Sequence, residues 1–173
     1  MKPIKEVIKM GLDMYFYARK STYKSFSKWD APDSADETNY PEDLKTFSDY
    51  IYDRNFKSVQ TETRYQIGYF RKFNALHSYI VKTFADGLDN CQDIFLYRKD
   101  VEKIKKVLDD VLNAHQQVEK AKELLPTQSG FFFGSTDYDE FYFDDVKDAT
   151  DLMQNLLDNF DFENYQLIYE ASW

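Results

Sequence analysis

A chain of 173 residues that is 43% hydrophobic and 18% aromatic has the apolar side chains for a core and fits a single domain over residues 1–173, which excludes disorder along its whole length. Phosphate contacts need clustered Lys and Arg, so a net charge of −9 excludes nucleic acid or an anionic membrane as the main partner and disfavours acidic partners generally. One cysteine, Cys91, and two histidines, His77 and His115, exclude an internal disulfide and a Cys/His zinc framework; no apolar run approaches the ~20 residues of a membrane span or forms a signal-peptide core, and a cytoplasmic location is expected.

The first patterned stretch is Gly11 to Lys20, GLDMYFYARK, where Leu12, Met14, Phe16 and Ala18 alternate with Asp13, Tyr15 and Tyr17. A period of two predicts a strand. Residues 28–41, KWDAPDSADETNYP, replace the apolar pattern with two prolines, small polar residues and acids, and predict a mobile acidic surface loop. From Pro41 to Tyr52, Leu44, Phe47, Tyr50 and Ile51 fall at helical spacing and predict a short helix. Phe70 to Phe84 predicts a second one, on Phe70, Phe73, Ile80, Val81 and Phe84, and its apolar stripe contains the polar Asn74 and His77. Ile94 to Tyr97 reads as a short strand. Val101, Ile104, Leu108, Val111, Leu112, His115 and Val118 then mark a helix of about six turns that ends before Pro126 and carries His115 on its buried stripe. Carboxylates within Tyr138 to Asp145 favour a helix start, and Val146, Ala149, Leu152, Met153, Leu156 and Leu157 continue it. Tyr165 to Ala171, YQLIYEA, alternates again and predicts a closing strand. Strands at both ends with three to four helices between them predict an α+β domain with a small, mainly antiparallel sheet.

The motifs of several chemistries are missing. No Lys follows Gly134, so the glycines do not form the phosphate-binding GxxxxGK[ST] loop, and there is no GxGxxG. Asp137 and Asp139 begin like a calcium loop, but Phe141 takes the next ligand position, Tyr142 the place of the turn glycine and Asp148 the place of the bidentate Glu. Asp144, Asp145 and Asp148 spell DDxxD, which can hold magnesium on a diphosphate but is more often a solvated helix start. No metal and no cofactor are expected. Neither a nucleophile elbow nor a thiol-protease context is present, so no catalytic residue is assigned.

Two constellations remain. IGYFRKFNALH, residues 67–77, spaces Arg71, Asn74 and His77 by three, so that on one helix they combine a cation, an amide and an imidazole. That set suits a phosphate or carboxylate, or proton transfer by a histidine titrating near neutrality. Alternatively Arg71 is solvated while Asn74 and His77 satisfy backbone groups in the core. LLPTQSGFFFGSTDYDEFYFDD, residues 124–145, sets Phe131, Phe132 and Phe133 between Gly130 and Gly134, with hydroxyls on Thr127, Ser129, Ser135 and Thr136. As an extended strand the triplet sends Phe131 and Phe133 one way and Phe132 the other, making Phe132 one wall of a pocket whose opposite wall is Arg71, Asn74 and His77. The competing reading is that the triplet plugs the core.

MGLDMYFYARK (10–20), IGYFRKFNALHSYIV (67–81), LLPTQSGFFFGSTDYDEFYFDD (124–145) and the final SW together resemble a family of small uncharacterised proteins of tailed phages and prophages. Members read GLDMY, YWRKxNxIH and LPTxSGFFFGSTxYDExY at the corresponding places. Here Phe70 stands for the usual Trp and Leu76 for the usual Ile, and residues 1–9 are an extension ahead of Met10, where members begin. The resemblance implies a ligand-binding set of Asp13, Tyr15, Arg71, Lys72, Asn74, His77, Thr127, Ser129, Gly130, Gly134, Ser135, Tyr138 and Asp139, which Phe132 joins as the pocket wall. It implies no reaction. The first expectation is a phage accessory protein, in the cytoplasm of the infected bacterial host, that binds a small polar or nucleotide-like ligand such as a host immune signal. The second is an acidic interaction protein that inhibits a host enzyme such as a nuclease by occupying its basic surface, and the third is an unrecognised hydrolase or transferase. The expected partner is therefore a small polar ligand or a host protein, with neither nucleic acid nor membrane contacted directly, and the oligomeric state is left open.

Overall fold

The computed structural model describes residues 11–27, 56–114 and 117–173. Among them are the strands β1 (Asp13–Ser27) and β2 (Phe56–Arg71), helix α1 (Asn74–Phe84), strand β3 (Ile94–Leu96), helices α2 (Arg98–Asn113), α3 (Val118–Leu124) and α4 (Glu140–Asn159), and strand β4 (Gln166–Ser172). The expected helix over Pro41 to Tyr52, the acidic loop over 28–41, the extension 1–9 and His115 lie outside the described residues. The chain divides into two compact units, Met1–Arg19 with Arg64–Trp173, and Lys20–Thr63; the second contains the remaining parts of β1 and β2.

In the first unit the four strands form an antiparallel sheet in the order β2-β1-β4-β3, an α+β fold with strands near both ends of the chain. Register follows from the alternation of apolar residues, because a slip by one position would turn every core side chain outward. Met14 pairs with Ala171, Phe16 with Tyr169 and Ala18 with Leu167, while Ile94 and Leu96 of β3 meet Tyr169 and Leu167. These residues are buried against the helices; Tyr15 opposite Glu170 and Tyr17 opposite Ile168 take the other face.

The helical layer supplies Leu76 and Ile80 from α1, Val101, Ile104, Leu108 and Val111 from α2, and Val146, Ala149, Met153 and Leu156 from α4, all in one core cluster. Helix α2 packs chiefly on α4. Its first turn is closed by Asp100, whose carboxylate accepts from Tyr97 N at 3.0 Å, and α4 starts where Asp139 accepts from Tyr142 N at 3.1 Å. Among the described residues no helix is long and apolar enough to cross a membrane.

Two elements differ from the pattern-based expectation. Phe70 and Arg71 end β2 instead of opening a helix, and α1 begins at Asn74. Strand β2 escapes notice because the apolar Tyr65, Ile67 and Tyr69 sit at exposed positions, which masks the usual apolar-in alternation. The single long helix is two: α2 stops at Asn113, where Ala114 N donates to Asp110 O, and Gln117 is extended ahead of α3. The spacing of Val118 continues the α2 stripe, and AHQQ contains no Gly or Pro to mark the break.

Candidate functional site

The chain reverses between β2 and α1 at Lys72, a non-glycine residue in the left-handed region at φ +64°. Its amide donates to Leu12 O at 2.8 Å, and Leu12 N donates to Phe132 O at 3.3 Å, so the three motif segments lie side by side at one end of the sheet. Gly134, at φ +92°, lets the 130–135 segment approach closely: a Cβ there would come within 2.9 Å of Lys72 Cβ. Asn74, the first residue of α1 and 2% exposed, fastens the segment in place. Its Nδ2 donates to Phe133 O at 3.0 Å and Ser135 O at 2.8 Å, and its Oδ1 accepts from Gln128 N at 2.9 Å. Both donors of the amide and its oxygen are thus engaged within the fold.

His77 lies one turn further into α1, 1% exposed. Its Nδ1 is 2.7 Å from Tyr169 Oη, and its Nε2 is 3.0 Å from Asp89 Oδ2. Burial, reinforced by the charge of Asp89, pushes the Tyr169 hydroxyl well above its ordinary range, so it stays protonated. With that hydroxyl donating to Nδ1, Nε2 carries the hydrogen toward Asp89. The other Asp89 oxygen accepts from Trp173 Nε1 at 3.2 Å, which extends the chain of bonds to the half-exposed Trp173.

The aromatic triplet is a turn and not an extended strand. Phe133 N donates to Gly130 O at 3.2 Å, and Phe132 is left-handed at φ +69°. The turn breaks the two-residue alternation and thereby corrects the expectation that Phe131 and Phe133 share a face. Phe133, 5% exposed, packs edge-on against His77 and Trp173 with ring centres 5.5 and 5.9 Å away. Phe131 is 83% exposed and Phe132 38%, with their ring centres 4.2 Å apart. One ring is core and two are surface.

The remaining expected residues divide by role. Thr127 N donates to Tyr138 Oη at 3.0 Å and Thr127 Oγ1 to Thr136 O at 3.1 Å, closing the base of the loop. Ser135 Oγ donates to Asp137 Oδ2 at 2.9 Å, Asp139 caps α4, and Ser129 is exposed. Asp13 accepts a short hydrogen bond from Tyr69 and lies 3.8 Å from Arg71 Nε. That hydrogen bond pushes the Tyr69 hydroxyl up to about 12. Tyr15 packs between Tyr17 and Tyr69 on the sheet face away from the helices.

The structure therefore gathers Lys72, Asn74, Gly134 and Ser135 directly, joins His77 to them through Phe133, and places Tyr15 elsewhere. Sequence reasoning missed Gly11, Leu12 and Gln128, which carry no motif chemistry, and Asp89, which sits in an unpatterned loop. Tyr169 had a usable signal: a tyrosine at an inward position of an alternating strand needs a buried partner for its hydroxyl, and His77 needed one too.

Elsewhere, burial followed by the charges of Asp148, Asp144 and Asp139 pushes Asp145 up to about 6. Among the described residues no group of three or more His, Cys, Asp or Glu is arranged to hold a metal ion. A shallow depression on α2 is flanked by the ion pairs Lys105–Asp109 and Lys106–Asp110, at 2.6 and 2.7 Å, and shares no residue with the Lys72 cluster. No family model, curated protein or solved structure matches the chain.

Proposed function

We propose a phage accessory protein that works by binding a small polar or nucleotide-like ligand at the end of the sheet where Leu12, Lys72 and the 130–135 segment meet. The observation that supports this reading is the meeting itself: backbone bonds and the Asn74 amide hold three distant segments together, and the exposed side chains there include Arg71, Lys72, Phe131, Phe132 and Ser135. A planar group can lie against the phenylalanine rings while a negative one meets the cations. Asn74 and His77, whose polar atoms are engaged internally, support the site from beneath. A host immune signal as the ligand and the cytoplasm of an infected bacterium as the setting follow from the resemblance of the motifs to tailed-phage proteins. The test is native mass spectrometry of protein purified from bacteria, then calorimetric titration of the retained species or of a nucleotide panel. Arg71→Ala and Phe132→Ala should each weaken binding at least about tenfold, roughly 1.4 kcal/mol. Unchanged affinity in both variants refutes the reading.

Helix α4 favours a second reading, an acidic interaction protein that occupies the basic surface of a host enzyme such as a nuclease. Burial and then the neighbouring carboxylates of Asp148, Asp144 and Asp139 raise Asp145 to about 6, and a basic partner relieves the repulsive part of that shift. Converting Asp144, Asp145 and Asp148 to Asn abolishes such a complex while Arg71→Ala leaves it intact; a complex that tolerates the neutralised helix removes this reading.

A further inference from the structure

Two cationic side chains lie over the same glycine in the Lys72 cluster. From the place where a Gly11 side chain would begin, Lys72 Cε is 3.3 Å away, Arg71 Nη2 3.7 Å and Arg71 Nε 3.9 Å. Like charges repel, and a fold that brings two of them to the same spot leaves a favourable position for an anion. Among the described residues Arg71 has one carboxylate nearby, Asp13, at the long distance of 3.8 Å. Lys72 makes no ion pair among the described residues.

The backbone enforces the convergence. Lys72 is held left-handed, a conformation that side chains other than glycine adopt at a cost, by bonds from its amide to Leu12 O and from Asn74 N to its carbonyl. Its stem lies along Gly134, where a Cβ would collide with it, and its end lies over Gly11, where a Cβ would crowd it. The net charge of −9 does not oppose this locally, since at physiological ionic strength charges beyond about 8 Å are largely screened.

We infer that Arg71 and Lys72 form an oxyanion site over Gly11 that takes a phosphate group. The guanidinium offers a fork of two parallel N–H donors to two phosphate oxygens, the ammonium offers a mobile point charge to a third, and Gly11, having no side chain, lets both stems lie over its buried backbone. The site deepens the ligand-binding reading and rests on it for the identity of the whole ligand, but not for the anion itself.

The test uses the full chain, isotope-labelled, and inorganic phosphate as the probe, followed by amide chemical shifts against a chloride control at matched ionic strength. Phosphate should shift the Gly11, Lys72 and Gly134 amides saturably. Lys72→Gln and Arg71→Gln should each raise the dissociation constant at least about tenfold. Gly11→Ala, whose Cβ would meet Lys72 Cε and the Arg71 guanidinium at a φ of +158° that strains a side chain, should lower stability somewhat and weaken phosphate binding of the folded protein as well. Shifts no larger than those with chloride, or a dissociation constant unchanged in Lys72→Gln and Arg71→Gln, overturn the inference. A second arm compares AMP with adenosine and phosphate. AMP binding more tightly than either supports both the site and the nucleotide-like ligand. AMP binding no better than phosphate, with phosphate binding intact, upholds the oxyanion site and removes the nucleotide-like ligand.

Discussion

Substituting the three phenylalanines one at a time separates surface from core. Phe133 is 5% exposed and seated against His77 and Trp173, so Phe133→Ala removes a buried ring and should cost about 3–5 kcal/mol. Phe131 is 83% exposed, and Phe131→Ala should stay within about 0.5 kcal/mol of the parent. Phe132 is the informative position because it is both half-covered and left-handed at φ +69°. Phe132→Gly relieves backbone strain of about 1–2 kcal/mol. Against that stand the lost contact with Phe131, about 1 kcal/mol, the lost burial of the covered part of the ring, about 1–2 kcal/mol, and the greater freedom of an unfolded glycine, about 0.4–1 kcal/mol. The losses outweigh the relief, and the variant should be less stable than the parent by about 1–2 kcal/mol. Urea denaturation at fixed pH measures all three. A loss above about 2 kcal/mol in both Phe131→Ala and Phe132→Gly, or below about 1 kcal/mol in Phe133→Ala, refutes the division into two surface rings and one core ring. If stability holds while ligand affinity falls, Phe132 is present for binding.

Asn74→Ala leaves Phe133 O, Ser135 O and Gln128 N without their partner and should cost about 3 kcal/mol, with faster hydrogen exchange at Gln128 as the local sign. Asp145 has its folded-state pKa raised to about 6, above the unfolded value, so its contribution is fully present below the unfolded value and is lost as pH rises through about 6. Because Asp145 is partly solvated, screening reduces the effect to on the order of 1 kcal/mol, and Asp145→Asn should flatten the difference in stability between pH 4 and pH 7; a parallel pH profile in the variant contradicts the assignment. Asp89→Ala unties both His77 and Trp173, should destabilise by about 2 kcal/mol, and should red-shift Trp173 fluorescence in a Trp29→Phe background; an unmoved emission maximum rules out the Asp89 tether.

Periodicity carried most of the architecture. The alternation of GLDMYFYARK and YQLIYEA anticipated β1 and β4 because each has one face in the core, and the carboxylates before Val146 anticipated the α4 start because Asp139 does cap it. Where apolar residues lie outside the core, the same reasoning fails: Tyr65, Ile67 and Tyr69 are exposed, and β2 went unseen. The site was legible as a set of segments but not as a set of roles. Asn74 and His77 were correctly suspected of needing polar partners, yet whether those partners are a ligand or the protein's own loops depends on contacts between separate elements, most of them more than fifty residues apart, which local spacing does not encode. The turn at Phe132 was illegible because phenylalanine gives no sign of a left-handed backbone.

The Asn74 clasp reaches across sequence separations of 54, 59 and 61 residues, although the loop it holds connects α3 to α4, its immediate neighbours in the chain. Contacts of that span form only after the intervening chain has been organised, since closing a long loop costs entropy before any bond repays it. The proposed recognition surface should therefore be assembled late, after α1 has docked, and a partially folded species lacking α1 should not present it. An amide such as that of Gln128 should then exchange through opening of the α1 contact and not through independent breathing of its own loop, which would tie the availability of the proposed binding surface to the cooperative stability of the domain.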